Sequence, residues 1–122
     1  MITCRYTSKS DRSKVGKKLS EDALRLIAER FKALGEPMRL KLIMTLEQGE
    51  KNVGQIVEQV SSTQANVSRH LQYLTEAGIL KRRKDGLHVY YSISDPRVFD
   101  LCQVVCGSLE EHFNNRAQAF KS

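Results

Sequence analysis

Cys102 and Cys106 are four positions apart, which on a helix sets both thiols on one face, one turn from each other. Such a pair suits a soft thiophilic ion: arsenite, antimonite or cadmium. Trivalent arsenic takes three thiolates in a pyramid, and Cys4 is the remaining thiol of the chain. Two other readings stay open. The pair falls in an apolar row with Phe99 and Leu109, where free cysteine packs as a small hydrophobe. It could also serve as a redox or persulfide switch, although a direct disulfide across one helical turn is geometrically poor. The odd number and wide spacing of the cysteines argue against a disulfide framework.

A second set of residues offers different chemistry. Gln64 and Asn66 can pair bidentately with adenine edges, and Arg69 with guanine or phosphate. Ser62, Thr63, Ser68 and His70 are short polar groups suited to phosphate or base contact. Further along come four consecutive cations, Lys81, Arg82, Arg83 and Lys84, then His88. A basic segment of this kind suits the phosphate backbone or the minor groove. The chain of 122 residues carries a net charge of +6, a balance that suits a polyanionic partner. Arg5, Lys9, Arg12, Lys14, Lys17 and Lys18 face a single acid, Asp11, within residues 1–18.

The elements that must position these groups follow from periodicity and punctuation. Residues 1–18 read as a flexible basic tail and residues 19–122 as one domain. Ser20-Glu-Asp opens a helix carrying Leu24, Ile27, Phe31 and Leu34, which Gly35 ends. Pro37 opens a second helix with Leu40, Ile43, Met44 and Leu46, stopping near Gln48-Gly49. A third spans roughly Asn52 to Val60. After the turn Ser61-Ser62-Thr63, a fourth runs from about Thr63 to Ala77, with Ala65, Val67, Leu71 and Leu74 inward. Ile79 to Lys84 and Leu87 to Ile93 form two strands joined by Asp85-Gly86, read as a two-residue hairpin turn. On the return strand Leu87, Val89 and Tyr91 alternate against His88, Tyr90 and Ser92. A last helix starts after Ser94-Asp95-Pro96 and runs to about Ala119.

Two helices joined by a short turn and followed by a basic hairpin define a winged helix-turn-helix. The fold class is α+β, mostly α, with about five helices and a two-stranded hairpin wing. The second helix of the pair is expected in the major groove of double-stranded DNA. The last helix carries one apolar row at Val98, Leu101 and Val105 and another at Phe99, Cys102, Cys106, Leu109 and Phe113. A domain this small covers two such rows most economically with a second copy of itself. A homodimer would place its recognition helices over an inverted repeat. No apolar run approaches a membrane span and no signal peptide is evident, so no membrane partner and a cytoplasmic location are expected. No phosphate-binding glycine loop or nucleophile motif supports an enzyme. The unspent face of Gln64, Asn66 and Arg69 argues against a mere protein-docking module.

Residues 29–93 resemble the ArsR/SmtB family of metal- and metalloid-responsive bacterial repressors. The matching segments are Phe31-Lys-Ala-Leu-Gly-Glu-Pro-Met-Arg-Leu, Val53-Gly-Gln-Ile, the run from Asn66 to Leu80, and His88-Val-Tyr-Tyr-Ser-Ile. The resemblance implies a dimer built through the first and last helices, bound to its operator without inducer and released with it. It also implies several places to look for a sensor. A thiolate pair in the helix before recognition is absent, because residues 52–60 hold no cysteine. A zinc site on the last helix would fall on Asp95, Arg97, Ser108 and Glu111, and arginine and serine are not useful zinc ligands. A sulfide-responsive cysteine pair would need a cysteine in the second helix, where Met44 stands. Cys102 and Cys106, with Cys4, remain as the expected metal or metalloid ligands.

Overall fold

The structure, a computed structural model, describes residues 18–119, in two compact units divided after Asp95. In the first unit, α1 spans Glu21–Leu34. The Ser20 hydroxyl caps it by accepting from the Ala23 N–H at 3.0 Å, and Glu21 and Asp22 place negative charge in its first turn. Gly35 ends it. Glu36 caps the next helix, α2 (Pro37–Thr45), its carboxylate accepting from the Arg39 N–H at 3.2 Å. The second helix is shorter than its apolar pattern implied. After Thr45 the chain tightens into a 3-10 turn, Leu46–Gln48, and leaves at Gly49 with φ 137°.

Strand β1, Lys51–Asn52, is an element the sequence reading did not contain. Two residues carry no periodicity, and only pairing to the distant hairpin defines the strand. Asn52 then caps α3 (Val53–Val60) through a reciprocal box with Gln55, both bonds at 2.9 Å. Ser61 turns the chain in the left-handed region, φ 52° and ψ 55°. Thr63 caps α4 (Gln64–Glu76), accepting from the Asn66 N–H at 3.1 Å.

Strands β2 (Leu80–Asp85) and β3 (His88–Ile93) form the hairpin, and β1 joins β3 to make an antiparallel sheet of order β1-β3-β2. The wing is therefore three-stranded at its base. Its turn lies one residue later than the sequence suggested. Asp85 pairs with His88, so the loop is Gly86-Leu87. Only Gly86 has positive φ, 62°, as a type II′ turn requires at its first central position. The shift takes Leu87 out of the strand to the tip, where it is 99% exposed.

The core of this unit is Leu42, Ile43 and Leu46 of α2 and its extension, Ile56 and Val60 of α3, and Val67, Leu71 and Leu74 of α4, closed by Ile79, Leu80 and Tyr91. Ala65, expected inward, is exposed: with Val67, Leu71 and Leu74 all turned to the core, position 65 falls on the opposite side of α4. Met44 is likewise exposed, and Leu42 takes its place in the core. Leu24, Ile27 and Phe31 of α1 stay uncovered. The second unit holds the long helix α5, Arg97–Ala119, on which Val104, Val105, Leu109 and Phe113 are exposed. Among the described residues no helix is long and apolar enough to cross a membrane.

Ser61 is the one described non-glycine residue with positive φ, a conformation costing a side-chain-bearing residue about 1 kcal/mol or more. Ser61→Gly is expected to raise the unfolding free energy in urea by about 0.5–1 kcal/mol, and Ser61→Val to lower it. A glycine variant less stable than the parent would mean that the turn is held by the serine side chain instead.

Candidate nucleic-acid interface

The core packing of α4 dictates what its other side presents. The outward row is Ala65, Arg69 and Gln72, with Gln64 exposed at the helix start. Asn66 and Arg69 are not independent. The Asn66 amide donates to the Ser62 hydroxyl at 3.0 Å, and its carbonyl oxygen accepts from the Arg69 guanidinium. This chain of contacts links three of the expected polar residues across the start of α4. Gln72, absent from the sequence reading, completes the row; its signal was its position three residues beyond Arg69.

His70 is placed differently from the expectation. Its side chain is only 12% exposed, with Nε2 3.5 Å from the Glu36 carboxylate and Nδ1 3.4 Å from the Arg39 guanidinium. It lies on the flank of α4 that meets α2, where its contacts to Glu36 and Arg39 brace the two helices. Arg39 extends the brace. Its Nε donates to the Ala33 carbonyl at 2.7 Å, another guanidinium nitrogen to the Lys32 carbonyl at 3.0 Å, and the group lies 4.3 Å above the Tyr73 ring. For the Glu36 carboxyl, desolvation pushes the pKa up, but the backbone N–H groups of Met38 and Arg39 and the nearby His70 and Arg39 outweigh it and hold it below 4.5.

The hairpin sorts its four cations by strand alternation. Arg82 stands opposite Tyr91, and Lys84 opposite Val89, on the side toward α4; Lys81 and Arg83 take the other side. Arg83 does not present a free charge. It grips Glu50 through two bonds, 2.9 and 2.7 Å, sits 3.5 Å from Asp85 and stacks 4.6 Å above Tyr90. The bidentate fork ties the hairpin to the loop before β1, which redefines Arg83 as a strut. That bond is also the main reason the Glu50 carboxyl is held below its ordinary value. Lys81, Arg82, Lys84 and His88 remain exposed.

On α5, Cys102 and Cys106 are free thiols one turn apart. Cys106 is exposed and its Sγ donates to the Glu110 carboxylate at 3.6 Å. Cys102 is partly covered, and burial pushes its thiol pKa up. Cys4 and the basic tail lie outside the described residues. Among the described residues no three His, Cys, Asp or Glu side chains gather as a metal site, so α5 offers two sulfurs rather than a complete pyramid.

The depressed Glu50 pKa sets a pH dependence. A carboxyl held below its unfolded value adds stability above about pH 4.5 that is lost as pH falls through the folded value. Between pH 5 and pH 3 the parent chain is therefore expected to lose more melting temperature than Glu50→Gln. Parallel losses in the two proteins would show that the Glu50–Arg83 pair contributes nothing to folding.

Residues 36–82 match the model of the arsR family of bacterial regulatory proteins. A cadmium resistance transcriptional regulatory protein CadC homolog of Staphylococcus aureus is 35% identical over 103 residues, 84% of each chain. A probable mercury resistance operon repressor of Streptomyces lividans is 42% identical over 71 residues, 58% of this chain and 57% of that protein. Among solved structures, a homodimeric winged helix-turn-helix DNA-binding domain of Mycobacterium bovis, a possible ArsR-family regulator, superposes with a TM-score of 0.68 at 31% identity, covering 80% of this chain and 94% of that one. The architecture, the polar recognition helix and these likenesses agree: the chain is a winged helix-turn-helix protein of the ArsR family of bacterial transcriptional regulators.

Proposed function

We propose that this chain is a homodimeric repressor that binds an inverted-repeat operator and is released by a thiophilic ion, arsenite being the leading candidate. The observation that carries the DNA-binding part is the outward side of α4. Its start is a capped helix end carrying Gln64, exposed Ala65 and the linked Ser62–Asn66–Arg69 set, and Gln72 is exposed further along. This is the arrangement a helix needs to enter the major groove N-terminus first. Lys84, Lys81 and His88 on the wing supply cationic and polar contacts beside it. Thr63 is spent largely on capping, and Ser68 lines the flank toward the wing.

Self-association is supported by two separate apolar rows. Leu24, Ile27 and Phe31 on α1 and Val105, Leu109 and Phe113 on α5 are each roughly half exposed. A second copy of the chain covers them, as the homodimeric relative from Mycobacterium bovis suggests. Two recognition helices then sit about one DNA turn apart, or a multiple of it.

The inducer reading rests on the paired thiols of Cys102 and Cys106, with Cys4 as the third ligand, and on relatives named for mercury and cadmium resistance. Each S–As bond that forms displaces one hydroxide of arsenite, which takes the thiol proton and leaves as water, and the Cys102 proton is the one burial makes harder to remove. The ion need only favour the low-affinity arrangement of the dimer by about 1–3 kcal/mol to act as an effector. A second reading, in which Cys102 is a packing residue, is favoured by its partial burial.

Fluorescence anisotropy of the reduced protein on DNA from upstream of its own gene separates these. Stoichiometric arsenite is expected to release the DNA, and Cys102→Ser to bind DNA normally without responding. Full release of the serine variant would move the sensor elsewhere. No release of the parent by arsenite, with release by cadmium or mercuric ion, would keep the thiols as ligands but change the inducer.

A further inference from the structure

A polar cleft runs between α4 and the wing, lined by Ser68, Gln72, Thr75, Glu76, Arg82 and Tyr91. It belongs wholly to the unit formed by residues 18–95. Arg82 reaches it because its cross-strand partner is Tyr91, whose ring is turned to the core, and direct partners in an antiparallel pair share a side. Unlike Arg83, Arg82 forms no ion pair with another described residue. An exposed guanidinium therefore stands across a cleft from the hydroxyl of Ser68 and the amide of Gln72, one turn apart on the same helix.

We infer that this cleft seats one phosphate of the DNA backbone, held by Arg82 from the wing and by Ser68 and Gln72 from the recognition helix. The inference rests on the DNA-binding reading and assigns one of its contacts. The donors fit a phosphate: a guanidinium fork matches two of its oxygens, and a hydroxyl and an amide N–H can serve a third. The other lining groups say where in the cleft the phosphate sits. The Thr75 hydroxyl already donates to the Leu71 carbonyl at 2.8 Å, so it has no proton to offer. Glu76 lies two helical turns beyond Ser68, and its carboxylate repels a phosphate from that end. The seat is therefore at the Ser68 end, nearer the base-reading start of α4. A phosphate held from both sides fixes how deep α4 enters the groove, which bare charge on a flexible wing does not do.

The test is binding of the full chain to a duplex carrying a single neutral methylphosphonate, moved one position at a time through a half-site. For the parent, one position is expected to weaken binding about tenfold, as the loss of a charge-assisted contact predicts. Arg82→Gln is expected to be indifferent to that substitution while responding to all others as the parent does. Its slope of log affinity against log salt should fall by about 0.9 per protomer. Arg82→Lys, which keeps the charge and loses the fork, should keep the parent's salt slope and show a sensitivity at that position between those of the parent and Arg82→Gln. Arg82 is exposed, so a thermal melt equal to the parent's is expected and checks that the variant is folded. An Arg82→Gln profile with the parent's same sensitive position overturns the seat, as does displacement of DNA by low-millimolar inorganic phosphate at constant ionic strength, which would assign the cleft to a free anion. A parent chain with no affinity for any duplex overturns the DNA-binding reading itself.

Discussion

Burial of Val67, Leu71 and Leu74 is the constraint from which the rest of the molecule follows. All three have no solvent exposure, and they fix the rotation of α4 about its own axis. A helix has no freedom left once one side is committed to a core. Ala65, Arg69 and Gln72 must then point outward, and His70 must turn toward α2. The flank brace of Glu36, His70 and Arg39 adds a second restraint, joining the end of α1, the start of α2 and the middle of α4 through polar contacts. Recognition chemistry in this chain is thus a by-product of packing: the core decides which residues are available to read a ligand.

The wing obeys a similar logic through a different interaction. Four consecutive cations look equivalent along the chain, but strand alternation divides them into two pairs. One member, Arg83, is consumed by Glu50, Asp85 and the Tyr90 ring. An exposed ion pair contributes little to stability by itself. Here the fork and the ring restrict the angle at which the hairpin leaves the domain, and the short pairing of β1 with β3 restrains its base. The remaining cations are presented from a stiffened stem.

Much of this was legible in the sequence. The cap at Ser20, the proline at the start of α2 and the apolar spacing of Val67, Leu71 and Leu74 are local signals, and they placed the helix starts within a residue or two, while α2 ends at Thr45 rather than near Gln48-Gly49. The hairpin was equally plain, but its turn was not. Asp-Gly serves as the two central residues of one turn type, while glycine followed by any residue serves another; only the Asp85–His88 pairing decides. What escaped depended on distant partners. Glu50 and Arg83 are 33 positions apart, and nothing local reveals their bond. The β1 strand exists through pairing with Tyr90 and Tyr91. His70 reads as an available polar group until Glu36 and Arg39 are seen beside it. Cys102 and Cys106 were visible as a pair, yet spacing alone does not distinguish a partly covered thiol from an exposed one.

The central claim is that two copies of α4 read one DNA duplex from its major groove. Guanine N7 protection on DNA from upstream of the gene tests it most directly, because N7 lies on the major-groove edge. The account predicts two protected patches related by an inverted repeat, centred about 10 base pairs apart or a multiple of that. A single unpaired patch, or DNA bound with no N7 protected, would contradict it.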